Sequence, residues 1–398
     1  MQRQILILLF AILLVSLMLP YAISNIIFGV LFAYSFYYSL SNKIKPQLSY
    51  IHWPWIILYL IMILSLFWSI DFETTKEALF PNLRILVIPL LFSLLPKFST
   101  EEKQHIFSVF SRGMVIFSLG LLLRAVIRFS NLNVPSLFTH YQLVDFWGLN
   151  RVEVSVFLAI ALFFFIIHFN YKLKTLLMVM ILGLMILLLS SKTVVITTIL
   201  ISGVLIWLKL QSKKQKTYFL VLIIPFVFLI IFLSNHLINK QFISEMKPRI
   251  SEILHFDHFG QNYYLNGAEL RILNTRFMWE NLNNDHAWWT GYGLKASQIK
   301  IDEKIEEYDL YNGYKNYHAH NQFVRYILDL GILGGVIIMY IFILGFKMIW
   351  RHGDLFSLAF LVLFFLYFMT DAALYTQRIT YLFISIYFIL FHRRIIRY

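Results

Sequence analysis

The chain has 398 residues, 59% of them hydrophobic and 14% charged, with a formal net charge of +13 and no cysteine. A soluble domain is roughly 45–50% apolar and about 25% charged, so this excess exceeds what one soluble core can bury, and the missing cysteines exclude disulfides, thiolate metal sites and a cysteine nucleophile. A chain dissolved in bilayer is not expected to meet nucleic acid, and its positive charge is first read as Lys and Arg kept in the cytoplasm.

Apolar runs of the length needed to cross hydrocarbon, about 17–25 residues, recur along the chain. They fall near 4–20, 22–40, 54–70, 84–96, 105–127, 152–170, 175–190, 193–210, 217–235, 328–349, 354–371 and 378–393, the fourth being short. The first run passes through Pro20 into the second without a small-residue cleavage site, so it reads as a retained helix. With the N-terminus inside, Lys43 and Lys45, Lys97 and Lys103, Lys172 and Lys174, the group Lys209, Lys213, Lys214 and Lys216, then Lys347, Arg351 and the tail Arg393, Arg394 and Arg397 all fall on the cytoplasmic side. The expected fold is an all-α polytopic membrane protein of about twelve transmembrane helices, both termini cytoplasmic. Its parts are helices one to nine (1–235), an outer loop domain with short helices (236–320) and helices ten to twelve (321–398).

Residues 236–319 differ from the rest, with nine Lys and Arg against eleven Asp and Glu, a net of −2. Long loops in compact proteins are usually functional or disordered. Here Arg271 to Leu282 reads as a helix, with Ile272, Phe277 and Trp279 among polar neighbours, and Gly291-Tyr292-Gly293 reads as a turn.

Basic residues on the outer side are few: Arg84 at the mouth of the fourth helix, Arg151 before the sixth, Lys192 between the seventh and eighth, and Arg271 and Arg276 in the loop. A cation at the edge of hydrocarbon either snorkels or meets an anion. Ser190-Ser191-Lys192-Thr193 forms a whole turn with no acid near it in sequence, so a membrane-borne phosphate and a snorkelling side chain are both open readings. Several such cations around one cavity would suit a diphosphate, which Arg grips through a bidentate fork. Arg271 and Arg276, five residues apart on one helix, diverge by about 140°.

Tyr317-His318-Ala319-His320-Asn321 stands where the loop meets the tenth helix. A histidine there is placed either to take a proton from an attacking hydroxyl or simply to sit beside a helix cap made by Asn321. His318 and His320, with His255 and His258, raise zinc, but the sequence has no HExxH and no evident carboxylate partners, so no metal is expected. Asp329 is spaced to pair with Arg325 on one helical face. Asp371 is placed to orient a basic residue such as Arg378.

His320-Asn321, nine residues, Gly331, two residues and Gly334 match the pattern H[N/S/Q]x9Gxx[G/T/Y] of bacterial O-antigen ligases, in the O-antigen ligase and polymerase superfamily. Arg276-Phe277-Met278-Trp279 followed by Gly291-Tyr292-Gly293 resembles that family's Arg-x-x-Trp helix and GxG turn. The motifs cover about residues 269–335, and the topology resembles the family over nearly the whole chain. Lys192 departs from it, standing where many relatives carry Arg, so the charge is kept and the bidentate fork is lost.

The resemblance implies a GT-C-like glycosyltransferase, inverting, metal-independent and without cofactor. It would move a glycan en bloc from undecaprenyl diphosphate to lipid A-core on the periplasmic face of the bacterial inner membrane. The implied partners are the lipid-linked donor, the lipid A-core acceptor and membrane lipid. Arg84, Lys192, Arg271 and Arg276 would hold the diphosphate and His320 would be catalytic, supported by His318, Asn321, Asp329, Gly331 and Gly334. Alternatives are an O-antigen polymerase joining lipid-linked repeat units and, from another class, a lipid-linked glycan flippase or exporter. The exporter would set charges deep along a path through the bundle rather than at its outer mouths.

Overall fold

The structure, a computed structural model, describes residues 1–169, 172–210, 249–352 and 354–392. The expected ninth span 217–235, the boundary at 235, Lys213, Lys214, Lys216, Lys240, Lys247 and the basic tail Arg393, Arg394 and Arg397 lie outside them.

Helices occupy the positions of the other eleven expected spans. The first nine are α1 (Gln2–Ser16), α2 (Tyr21–Ser41), α3 (Trp53–Leu64), α4 (Phe72–Asn82), α5 (Arg84–Ser93), α6 (Thr100–Leu132), α7 (Arg151–Ile167), α8 (Leu173–Leu189) and α9 (Lys192–Lys209). Three helices of the polar segment follow, α10 (Ile250–His255), α11 (Gly267–Asn284) and α12 (Gln298–Glu307), then α13 (Gln322–His352), α14 (Leu355–Phe368) and α15 (Gln377–Phe391). Among the described residues α2, α6, α9 and α13 are long and apolar enough to cross a membrane, and several shorter apolar helices pack with them. The regular structure among the described residues is all helical, and its long apolar helices are consistent with a membrane protein.

A helix that is apolar all round belongs inside a bundle. α7 is such a helix, buried without a break from Glu153 to Ile166 and packed on α6, α8, α9 and α14. α15 is a second, buried from Arg378 to Phe391 against α5 and α13. Outer helices bury one face only: α9 turns Val194, Thr197, Thr198, Ile201 and Leu205 inward and leaves Ile196, Leu200, Val204 and Leu208 exposed as an i, i+4 stripe. That stripe is the surface lipid would cover.

The polar segment has its own core, in which Leu273, Phe277 and Leu282 of α11 pack with Ile301 and Ile305 of α12, Tyr292, and Leu328 from the start of α13. The sequence stretch read as helical from Arg271 to Leu282 is the centre of α11, which begins earlier because Asn266 and Glu269 form a reciprocal capping box.

α13 is two helices joined at Gly331, whose φ of 72° and ψ of −175° break the helical path. The break exposes the last carbonyls of the first half, which need donors. The turn at 291–293 supplies them: Tyr292 N donates to Leu328 O (2.8 Å), Gly293 N to Asp329 O (2.9 Å), and Ile332 N returns a bond to Trp288 O (2.8 Å). Only glycines allow this approach, since a Cβ on Gly291 would lie 2.6 Å from the Asp329 carbonyl carbon and one on Gly331 would strike the Trp289 carbonyl. The two sequence motifs are thus halves of one backbone clasp.

Candidate functional site

Beside this clasp lies a cavity of about 1490 Å³ between the polar segment and the ends of the membrane helices. It is lined by the starts of three helices: 150–152 of α7, 190–193 of α9 and 266–268 of α11. Helix N-termini carry partial positive charge and unpaired N–H groups, which favour anions. Asn150 and Asn266 cap α7 and α11 with their side chains, whereas Ser191 makes no side-chain cap on α9. Among the described residues six Lys and Arg line the cavity, Arg151, Lys192, Lys295, Lys315, Arg271 and Arg325, against two carboxylates, Glu153 and Asp371.

The structure brings Lys192, Arg271, His318 and His320 together on this cavity. Lys192 is the first residue of α9, placed there because Ser190 takes a left-handed conformation (φ 51°) that turns the chain between α8 and α9. Arg271 donates to Thr370 O (3.0 Å) and Gly267 O (2.7 Å). Both acceptors are neutral carbonyls, so its guanidinium is positioned by the backbone, with the Asp371 carboxylate within electrostatic reach.

Arg276 stands elsewhere. Its side chain bonds Glu280 (2.7 Å), Asp257 (3.0 Å) and the carbonyls of Ile253 and Phe256, and it lies over the Tyr308 ring. The helical divergence from Arg271 sends it into the polar segment, where its charge is matched by carboxylates. Arg84 does not line the cavity either; it sits at the start of α5, its Nε is buried without a partner, and it makes no hydrogen bond or ion pair among the described residues.

His320 is half-buried, with a left-handed backbone (φ 48°) that an L-residue adopts at some cost. The strain is set by its neighbours: Ala319 is fully buried in the polar core, and Asn321 Oδ1 accepts from Phe323 N (2.9 Å) and Val324 N (3.2 Å) to start α13. Between these two anchors the imidazole is turned toward the cavity. Burial, and then the positive charge of Arg271, push its pKa down to about 4, so the ring is neutral at neutral pH and able to accept a proton. Its ring lies 6.0 Å from that of Tyr317 and 6.3 Å from that of His318.

Asp329, Gly331 and Gly334 do not touch the cavity; they hold what does. Asp329 is fully buried, pairs with Arg325 (3.3 Å), and accepts from Ser297 Oγ (2.5 Å), from Lys295 N (2.9 Å) and from the Tyr375 hydroxyl. Arg325 in turn donates to Gln298 Oε1 (2.8 Å) and Lys295 O (3.0 Å). This network fixes the turn carrying Lys295, a cavity cation that sequence reasoning passed over. Burial and the charge of Arg325 lower the Lys295 pKa, with Arg84 adding to the effect and Asp329 opposing it. Its only sequence signal is its position two residues after the GYG turn.

The expected pairing of Asp371 with Arg378 is corrected. Arg378 is fully buried and donates to the carbonyls of Leu17 (2.9 Å), Leu19 (3.4 Å), Trp147 (2.8 Å) and Gly148 (2.8 Å), tying α15 to two corners of the bundle. Asp371 instead lines the cavity within electrostatic reach of His318 and Arg271. Among the described residues no three His, Asp or Glu come together as a metal site.

A family model described as O-antigen ligase matches residues 176–339. Over this stretch the chain is similar to the O-antigen ligase family. The matched stretch holds Lys192, Arg271, the histidine pair and the glycine clasp, and leaves out Arg84, Arg151 and Asp371. No curated protein matches the chain. Members of the O-antigen ligase family are membrane enzymes of the ligase and polymerase type, working on lipid-linked glycans and lipid acceptors.

Proposed function

We propose that the chain is an O-antigen ligase: it transfers a glycan en bloc from undecaprenyl diphosphate to a hydroxyl of lipid A-core. The observation that carries this reading is the convergence of Lys192, Arg271, Arg151 and Lys295 with the uncapped start of α9 on one cavity beside a neutral His320. Such a chamber suits a diphosphate better than a neutral ligand.

In the proposed reaction the acceptor hydroxyl oxygen attacks the anomeric carbon as its bond to the diphosphate oxygen breaks. The hydroxyl proton passes to the His320 imidazole, and the electron pair leaves on the diphosphate, where Lys192 and Arg271 meet the growing charge. A single displacement inverts the anomeric centre. A prenyl diphosphate is already a good leaving group, so these cations suffice without metal or cofactor. In this reading Arg84 adds positive charge within electrostatic reach of Lys295, and Arg276, paired with Asp257 and Glu280, serves the fold of the polar segment. His318 and Asn321 orient the corner, and Asp329, Gly331 and Gly334 support it.

In this reading the bundle is GT-C-like with about twelve spans, 236–320 is a periplasmic domain, and both termini lie in the cytoplasm of a bacterial inner membrane. The distribution of Lys and Arg supports that orientation. Deleting the gene in its host and resolving lipopolysaccharide on a gel tests the assignment. Bare core with lipid-linked polymer accumulating is expected; core bearing a single repeat unit would make the chain a polymerase, and glycan trapped on the cytoplasmic leaflet would make it an exporter.

A further inference from the structure

The polar segment carries a string of aromatic rings that the proposed chemistry does not use. Ring contacts run in order from Tyr264 to Tyr311 (5.9 Å), Tyr314 (5.7 Å), Tyr317 (6.4 Å) and His320 (6.0 Å). Tyr264, Tyr311 and Tyr317 are 68%, 44% and 50% exposed, far more than a packing role requires. Their hydroxyls make no hydrogen bond among the described residues, whereas Tyr314 is anchored by accepting from Leu265 N (2.7 Å). The inner end is continuous with the cavity, since Leu265, Asn266, Asn316 and Tyr317 line its wall. At the outer part, Gly313 is what lets the Tyr311 ring fold over the backbone, because a Cβ there would lie 2.8 Å from Cζ and 2.9 Å from Cδ1 of that ring.

We infer that these rings form a docking track for the acceptor oligosaccharide, a chain of neutral pyranose rings, leading from solvent to His320. The inference rests on the proposed transferase reading. Tyrosine offers a rigid, amphipathic face with little entropy to lose, suited to a ligand whose rings have apolar C–H faces and hydroxyl edges. The direction of the string decides between the two glycans of the reaction. It ends on the imidazole that takes the acceptor's proton, with Arg271 beside that ring, while Arg151 and Lys192, two of the cations for the donor diphosphate, stand at the starts of α7 and α9.

The test uses the purified full chain, with lipid-free core oligosaccharide released from host lipopolysaccharide as probe, followed by saturation-transfer NMR. Binding by the parent protein is expected. In Tyr264→Ala/Tyr311→Ala it should weaken at least about tenfold, as loss of two aromatic contacts predicts. Gly313→Ala, which keeps every tyrosine and only displaces the Tyr311 ring, should weaken it in the same direction. In a transfer assay both variants raise the KM for acceptor and leave kcat at saturating acceptor and affinity for polyprenyl diphosphate unchanged.

Absence of binding by the parent protein, or equal binding by the variants, overturns the inference. So does a loss confined to released O-antigen polymer, which would make the rings a donor subsite, or to association with phospholipid vesicles, which would make them membrane anchors. His320→Ala separates the two claims. It should bind core as the parent does; transfer by that variant would remove the proposed base and leave the track standing.

Discussion

His320 gathers the residue-scale argument. A left-handed backbone fixed between a buried alanine and a helix cap aims the ring, and burial beside Arg271 keeps it neutral. With a pKa lowered to about 4, the proton-accepting form is dominant at all pH values above it. The rate of transfer should therefore be flat from neutrality down to about pH 5 and fall about tenfold per unit below about 4. Arg271→Gln removes the second cause of the shift and leaves burial, so this acid limb should move upward, toward the ordinary histidine range. A limb already centred near 6.5 in the parent protein would show that the imidazole is not held as described. His320→Ala should lower turnover by roughly 10²–10⁴, the usual share of general-base catalysis, while the lipid donor still binds.

At the scale of elements, the clasp between the 291–293 turn and the break in α13 decides whether the site exists. Gly331 has a backbone conformation closed to L-residues and faces the Trp289 carbonyl, so both strain and collision oppose a side chain there. Gly331→Ala should cost at least about 3 kcal/mol, seen as a lower Tm of the purified protein. Gly29 in α2 has nothing within 4 Å of an added Cβ. Gly29→Ala should stay within about 0.5 kcal/mol of the parent. Equal Tm for the two variants would show that the clasp does not carry the fold. The buried Arg325–Asp329 pair belongs to the same unit, and it matters less as a source of stability than as the holder of the Lys295 turn.

For the whole molecule, the helices are legible in the sequence because bilayer-length apolar runs are a strong, local signal. The same runs do not reveal that α7 and α15 are the buried columns, since inward and lipid-facing helices share one composition. The clasp is half legible: the glycine spacings mark both pieces, but not that one supplies hydrogen bonds to the other. The cavity is legible through Lys192, Arg271, His318 and His320, whose scarcity on one side of the chain singles them out. Lys295, Glu153 and the role of Asp371 are not, because they depend on which turn meets which helix. Arg271 and Arg276 look alike in sequence, and only the facing carboxylates Glu280 and Asp257 separate them. That separation offers the most direct test of the claim that the cavity grips a polyprenyl diphosphate. Affinity of the purified chain for undecaprenyl diphosphate should fall about 10²-fold or more in Lys192→Ala/Arg271→Ala, at about 1.5–3 kcal/mol per charged hydrogen bond, and hold within a few-fold in folded Arg276→Ala. Unchanged affinity in the double variant, or a loss seen only with Arg276, would contradict the account.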